Sequence, residues 1–197
     1  MKIGLYFGSF NPIHNGHLII AQHVLNNSDL DQIWFVVSPQ NPFKPSKTLL
    51  NEYDRLNLVE IAIADNNRFK TSDIEFKLPK PSYTIDSITY LREKYPNNKF
   101  TIIVGGDSYQ NIGKWKNSEL LLSQNDIIVY ARPGFELNLK AVRENITFLT
   151  EVPLLNISAT YIRSCIIHKQ SIQYLTPDNV IKEIEKNGYF ERINLEK

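Results

Sequence analysis

The chain has 197 residues, 42% hydrophobic and 22% charged, with 22 Lys+Arg against 21 Asp+Glu and a single Cys. That length suits one α/β domain burying roughly 70% of its unfolded surface. The near-zero net charge excludes a broad nucleic-acid footprint, and one Cys excludes a disulfide framework or multi-Cys zinc site.

Strand-like and helix-like segments alternate from the start. Lys2 to Phe7 reads as a buried strand ended by Gly8-Ser9. Gly16 to Asn26 carries Leu18, Ala21 and Leu25 at amphipathic-helix spacing. Ile33 to Val37 is a second strand, and no hydrophobic run exceeds its five residues, too few to cross a bilayer. The stretch 39–48 reads as a loop, and Asn51 to Asp65 as a helix with Leu56, Val59 and Ile63 inward. Ser72 to Leu78 predicts a strand, and Thr84 to Tyr95 a helix. Phe100 to Val104, Asp126 to Ala131 and Thr147 to Thr150 predict three more strands. Two helices follow, Ser158 to Ile167 and Thr176 to Lys186. The second is expected to have Thr176 as N-cap, Pro177 at its first position and Gly188 past its end.

Continuous apolar strands separated by amphipathic helices predict a parallel sheet covered on both faces, a Rossmann-like doubly wound arrangement. No repeat, low-complexity tract or linker interrupts it. The expectation is one domain over 1–197, with C-terminal helices 158–190 packed on it. The N-terminus MKIGLYFGSF reaches polar residues too early for a signal-peptide core, which points to the cytoplasm and away from membranes. In such folds ligands bind beyond the carboxyl ends of the strands.

The informative segment follows the first strand: Gly8-Ser9-Phe10-Asn11-Pro12-Ile13-His14-Asn15-Gly16-His17. Glycines let the backbone approach a ligand, and the helix starting near Asn15 aims unpaired N–H groups and its positive dipole end at it. His14 and His17, three apart, can both donate to phosphate oxygens. Taken as spacing alone they could instead be metal ligands, but no second cluster at ligand spacing completes such a site. Neither GxGxxG nor the Gly-Lys-Ser/Thr phosphate loop occurs. His23 and His168 read as solvated or packed.

This segment resembles the signature of the H-x-G-H nucleotidyltransferase superfamily, and Ile157-Ser158-Ala159-Thr160-Tyr161-Ile162-Arg163 resembles its I-S-x-T-x-x-R motif. Lys80-Pro81-Ser82-Tyr83-Thr84, Gly105-Gly106-Asp107-Ser108, Trp115 with Leu120-Leu121, Arg132-Pro133-Gly134 and the ending Tyr174 through Tyr189 are similar to bacterial nicotinate-nucleotide adenylyltransferases. The resemblance implies a nucleotidyltransferase-type fold. It also implies transfer of the adenylyl group of ATP to nicotinate mononucleotide, giving deamido-NAD+ and pyrophosphate. An anionic nucleophile needs no general base, so catalysis is expected to rest on positioning and charge stabilisation.

The same resemblance implies the roles. His14, His17 and Arg163 would hold the phosphates during transfer. Gly8, Ser9, Phe10, Gly16, Gly105, Asp107, Arg132, Ile157 and Ser158 would bind ATP, Asp107 through the ribose hydroxyls. Asn41 and Lys44, in the loop after the second strand, would meet phosphate, although Phe43 stands where the family usually has His. Trp115 would stack on the pyridine ring; the alternative is a core tryptophan, as Trp34 reads. Thr84, with backbone N–H groups near Lys116, would recognise the nicotinate carboxylate. Mg2+ is expected on the ATP phosphates, with no protein metal ligands.

Rival readings are an adenylyltransferase for nicotinamide mononucleotide or phosphopantetheine, and a non-catalytic nucleotide sensor on the same scaffold. An aminoacyl-tRNA synthetase fragment fails for want of a tRNA-binding domain or basic surplus. The expected partners are small molecules, not nucleic acid, and a homo-oligomer stays open. The sheet reading also brings His14, His17, Lys44, Arg132 and Arg163 to one end, so a neutral chain is expected to present a locally positive cleft.

Overall fold

The computed structural model describes residues 1–40, 49–132, 143–153 and 155–191. Strands β1 (Lys2–Gly8), β2 (Gln32–Val37), β3 (Phe69–Ser72), β4 (Lys99–Gly105), β5 (Asp126–Tyr130) and β6 (Ile146–Leu149) form one sheet. Their order is 3-2-1-4-5-6, and every neighbouring pair is parallel. Helices α1 (Asn15–Asn26), α2 (Glu52–Ile63), α3 (Thr84–Lys94), α4 (Gly106–Gln110), α5 (Ser118–Gln124), α6 (Ala159–Ile167) and α7 (Asp178–Asn187) connect and cover it.

The period of two along each strand builds two cores. Ile33, Phe35 and Val37 of β2, with Ile103, Ile128 and Tyr130, face one side, where α1, α2, α6 and α7 supply Val24, Leu58, Ile162 and Val180. Trp34 and Val36, with Ile3, Leu5, Ile102 and Val129, face the other, where α3 and α5 supply Ile88, Leu91 and Leu121. Both faces are therefore covered, which is why these strands read as unbroken apolar runs. Trp34 is a core residue, packed edge-on against Tyr95 and Phe100. Among the described residues no helix is long and apolar enough to cross a membrane.

Two expectations are corrected, and a stretch left without an assigned element gains three. The strand predicted over Ser72 to Leu78 is instead β3, ending at Ser72, followed by a 3-10 helix over Ile74–Lys77. Ile74 turns into the core there while Glu75 is buried beside it, so the apolar residues mark a tight turn rather than a pleat. Thr176 does not cap the last helix. Pro177 holds that position, and the Thr176 hydroxyl donates instead to the Ile13 carbonyl at 2.9 Å. Between β4 and β5, where sequence periodicity showed no helix, lie α4, a 3-10 turn at Ile112–Lys114 and α5.

The order 3-2-1-4-5-6 puts the reversal of strand order between β1 and β4, where loops diverge to opposite faces and leave a crevice at the carboxyl ends. That crevice is the mouth of the cavity described next.

Candidate active site

A cavity of about 490 Å³ opens at this switch point. Of the residues assigned to the site from sequence, Gly8, Ser9, Phe10, His14, His17, Thr84, Gly105, Asp107, Trp115, Lys116, Arg132, Ile157, Ser158 and Arg163 all line it. Gly16 does not. It lies behind His14, where a Cβ would come within 3.0 Å of the His14 ring, so it provides room rather than contact. Asn41, Phe43 and Lys44 lie outside the described residues, as does the Pro133-Gly134 part of the Arg132 segment.

The turn after β1 is shaped around two histidines. His14 is the N-cap of α1 and His17 lies in its first turn; their rings stack with centroids 3.7 Å apart. The His14 backbone N–H donates to His17 Nδ1 at 3.3 Å, so a neutral His17 carries its proton on Nε2. Tyr6 and Phe10 meet the His17 ring edge-on from below. Phe10 holds a left-handed backbone, φ 44°, with its ring 2% exposed. A bulky residue there stores on the order of 1–3 kcal/mol of strain, offset here by burial of the ring in the aromatic floor.

His14 is buried, and its Nδ1 has no hydrogen-bond partner. Burial, with the nearby Arg132 charge, lowers its pKa from 6.5 to about 4. His14 is thus a neutral ring at pH 7, which corrects the expectation that it adds positive charge to the cleft. The shift has a stability consequence. Below pH 6.5 the unfolded chain protonates this ring while the folded chain does not until about pH 4. His14 therefore contributes stability that is complete above pH 6.5 and lost on acidification, by about 3 kcal/mol between those limits. Urea midpoints of wild type are expected to fall between pH 7 and pH 4.5 more steeply than those of His14→Gln. Parallel slopes would refute the assignment.

The I-S-x-T-x-x-R segment closes the site from the far end of the chain. Ser158 caps α6, its hydroxyl accepting from Tyr161 N at 3.1 Å, as its sequence position predicts. Arg163, one turn in, is buried and donates from Nη1 to the Asn11 carbonyl at 2.7 Å and from Nη2 to Thr160 Oγ1 at 3.2 Å. Its Nε is buried without a partner. The two outer nitrogens of the guanidinium fix the turn and tie it to α6.

Across the cavity, Arg132 and Asp107 pair at 3.0 Å. A Cβ on Gly105 would approach Asp107 Oδ1 to 2.6 Å, so only glycine lets that carboxylate lie over the end of β4. The Tyr6 and Tyr130 hydroxyls meet at 3.3 Å beneath, and burial raises the pKa of both. On the remaining wall, α3 begins at Thr84 with Tyr83 as N-cap and no side-chain cap. Its first N–H groups are therefore available to an anion. Lys116 Nζ binds Asp86 at 2.8 Å and stands 5.0 Å from the centroid of the Tyr83 ring. Trp115 is half-buried, packing on the second core while lining the cavity.

Sequence reasoning missed three features. Glu75 lines the cavity from a buried position, Tyr6 and Tyr130 form its floor, and the guanidinium of Arg55 lies behind the turn. The tyrosine pair and Arg55 depend on contacts far apart in sequence, and Glu75, though 7 and 12 positions from Ser82 and Ser87, sits in no local pattern.

A cytidylyltransferase-like family model matches residues 5–165. A protein of Cytophaga hutchinsonii described as a probable nicotinate-nucleotide adenylyltransferase is 50% identical over 190 residues, covering 96% of this chain and 98% of the relative. One of Flavobacterium psychrophilum with the same description is 45% identical, covering 98% and 100%. A solved structure of Plasmodium falciparum nicotinic acid mononucleotide adenylyltransferase complexed with NaAD superposes with a TM-score of 0.81 at 23% identity. It covers 99% of both chains and supports the fold.

Proposed function

The chain belongs to the nicotinate-nucleotide adenylyltransferase family, and we propose that its cavity joins ATP to nicotinate mononucleotide. The products are deamido-NAD+ and pyrophosphate. The observation that carries the reading is a single cavity that gathers the histidine turn, Arg163 and the uncapped start of α3 beside Trp115. One wall suits a triphosphate; the other suits a flat ring bearing a carboxylate.

In the proposed step an oxygen of the mononucleotide 5′-phosphate attacks the α-phosphorus of ATP. The bond to the bridging oxygen breaks in line, and pyrophosphate leaves with the electron pair. His14 and His17 donate to the α- and β-phosphate oxygens, and Arg163 to the β or γ oxygens. Gly8, Ser9, Phe10, Ile157 and Ser158 frame the phosphates. Asp107 turns from Arg132 to the ribose hydroxyls, freeing Arg132 for the nucleotide. Trp115 stacks on the pyridine ring, while Thr84 and backbone N–H groups near Lys116 take the carboxylate. Lys44 and Asn41 are assigned to phosphate from the family pattern alone.

Donors arranged for a carboxylate are poorly matched to an amide, which favours the acid substrate. A divalent ion, Mg2+, is proposed to ride on the ATP phosphates. Among the described residues no group of three or more His, Cys, Asp or Glu could hold it. When bound, the ion neutralises phosphate charge. The balanced net charge supports small-molecule substrates over nucleic acid, and the lone, buried Cys165 supports a cytoplasmic setting.

Pyrophosphate release with nicotinate mononucleotide, nicotinamide mononucleotide and phosphopantetheine tests the reading. The expected kcat/KM favours the first by at least about 100-fold. Equal turnover of acid and amide would overturn it.

A further inference from the structure

Glu75 is 2% exposed, yet its carboxylate reaches the cavity wall. Oε2 accepts from Ser82 Oγ at 2.7 Å and Oε1 from Ser87 Oγ at 2.8 Å, and Ser38 also hydrogen-bonds to it. These serines belong to two different parts of the site. Ser82 immediately precedes Tyr83, the N-cap of α3, and Ser87 lies one turn inside that helix. Ser38 follows β2, and its backbone N–H donates to the Gly8 carbonyl at 2.9 Å, at the start of the histidine turn.

Among the described residues no cation pairs with Glu75, and its hydrogen-bonding partners are hydroxyls. Burial pushes its carboxyl up, while the serines pull it back. A buried carboxyl is costly unless every oxygen is satisfied. That arrangement holds only while the Ser82–Thr84 turn keeps its present distance from the β2 end. The group is more than a core residue, because what it fixes is one subsite relative to the other.

We propose that Glu75 is a positioning residue for substrate selection, holding the uncapped N-terminus of α3 at the place and angle where it receives the carboxylate of the pyridine nucleotide. The inference rests on the reading of Tyr83–Thr84 given above and adds to it the device that aims that turn. It acts on the acid-bearing substrate rather than on ATP, whose proposed contacts lie on the turn from β1 into α1, the ends of β4 and β5, and α6.

Steady-state kinetics of Glu75→Ala, Glu75→Gln and Ser82→Ala test this. Glu75→Ala is expected to raise KM for nicotinate mononucleotide about tenfold or more, since two buried hydroxyls lose their acceptor. KM for ATP is expected to stay within about twofold, and the acid-to-amide preference to fall about tenfold. Glutamine can accept from one serine and donate to the other, so Glu75→Gln is expected to restore KM to within about threefold of wild type. If Glu75→Ala does not fold, Ser82→Ala carries the test, with an expected rise of about threefold in the same KM. Equal rises in both KM values, or a lowered Tm with unchanged KM values, would overturn the proposal while leaving the assigned activity intact. Absence of wild-type turnover on nicotinate mononucleotide would overturn both.

Discussion

Replacing His17 by alanine is expected to lower kcat for pyrophosphate release by about 100–1000-fold, the cost of losing one preorganised donor to developing phosphate charge. The geometry makes His17 the better defined of the two donors. Its Nδ1 is occupied by the His14 N–H at 3.3 Å, which leaves Nε2 as the protonated nitrogen of the neutral ring. Tyr6 and Phe10 hold that ring at its edges, so its orientation is set before substrate arrives. Because the two imidazoles stack at 3.7 Å, they act as a unit. The double variant His14→Ala/His17→Ala is expected to lose little more than the worse single one. Single-turnover measurements at saturating substrate check both statements. A loss below tenfold in His17→Ala would remove the histidine from the chemical step.

Arg55→Ala is expected to destabilise the fold by about 4 kcal/mol, through backbone groups rather than an ion pair. Arg55 is fully buried, and its guanidinium donates to four carbonyls: Leu50 at 2.9 Å, Ser9 at 2.6 Å, Ser38 at 2.8 Å and Pro39 at 3.1 Å. Burial lowers its pKa to about 10, which still leaves it charged at neutral pH. Leaving several buried carbonyls without donors costs roughly 1–3 kcal/mol each before relaxation and water entry. Lysine offers three donors from one point and cannot span these carbonyls, so Arg55→Lys is expected to recover less than half of the loss. Ser9 and Ser38 line the cavity, so KM for ATP is expected to rise in Arg55→Lys even where the protein remains folded. Urea unfolding measures the first effect and steady-state kinetics the second. A destabilisation below about 1.5 kcal/mol would mean that water takes over the guanidinium's bonds.

Much of this was legible in the sequence because it was local. Four of the six strands appear as short apolar runs, since burial on both faces removes the need for alternation, and the edge strand β6 shows a weaker version of the pattern. The two motifs are legible as a family signature because a turn followed by a helix N-terminus gathers its residues into about ten positions. The failures share a cause too. Ile74 and Phe76 alternate as strand residues do, but Asp73 starts a 3-10 turn that no periodicity distinguishes from a pleat over four residues. The helices after Gly106 are five and seven residues long, too short to show a hydrophobic stripe. Thr176 has the chemistry of a cap, yet the Ile13 carbonyl, 163 positions away, claims its hydroxyl. Arg55 and Glu75 follow the same rule: their partners are set by the tertiary fold, so no spacing announces them.

The bond from Arg163 to the Asn11 carbonyl spans 152 positions, and Leu175 and Thr176 make two more to Asn15 and Ile13. During synthesis, at about 5–20 residues per second, the histidine turn emerges roughly 8–30 s before the segments that complete it. A nascent or prematurely terminated chain thus holds the histidine turn without the Ser158 and Arg163 side of the proposed phosphate site. That site is complete only where the two distant ends of its motif pair are tied together.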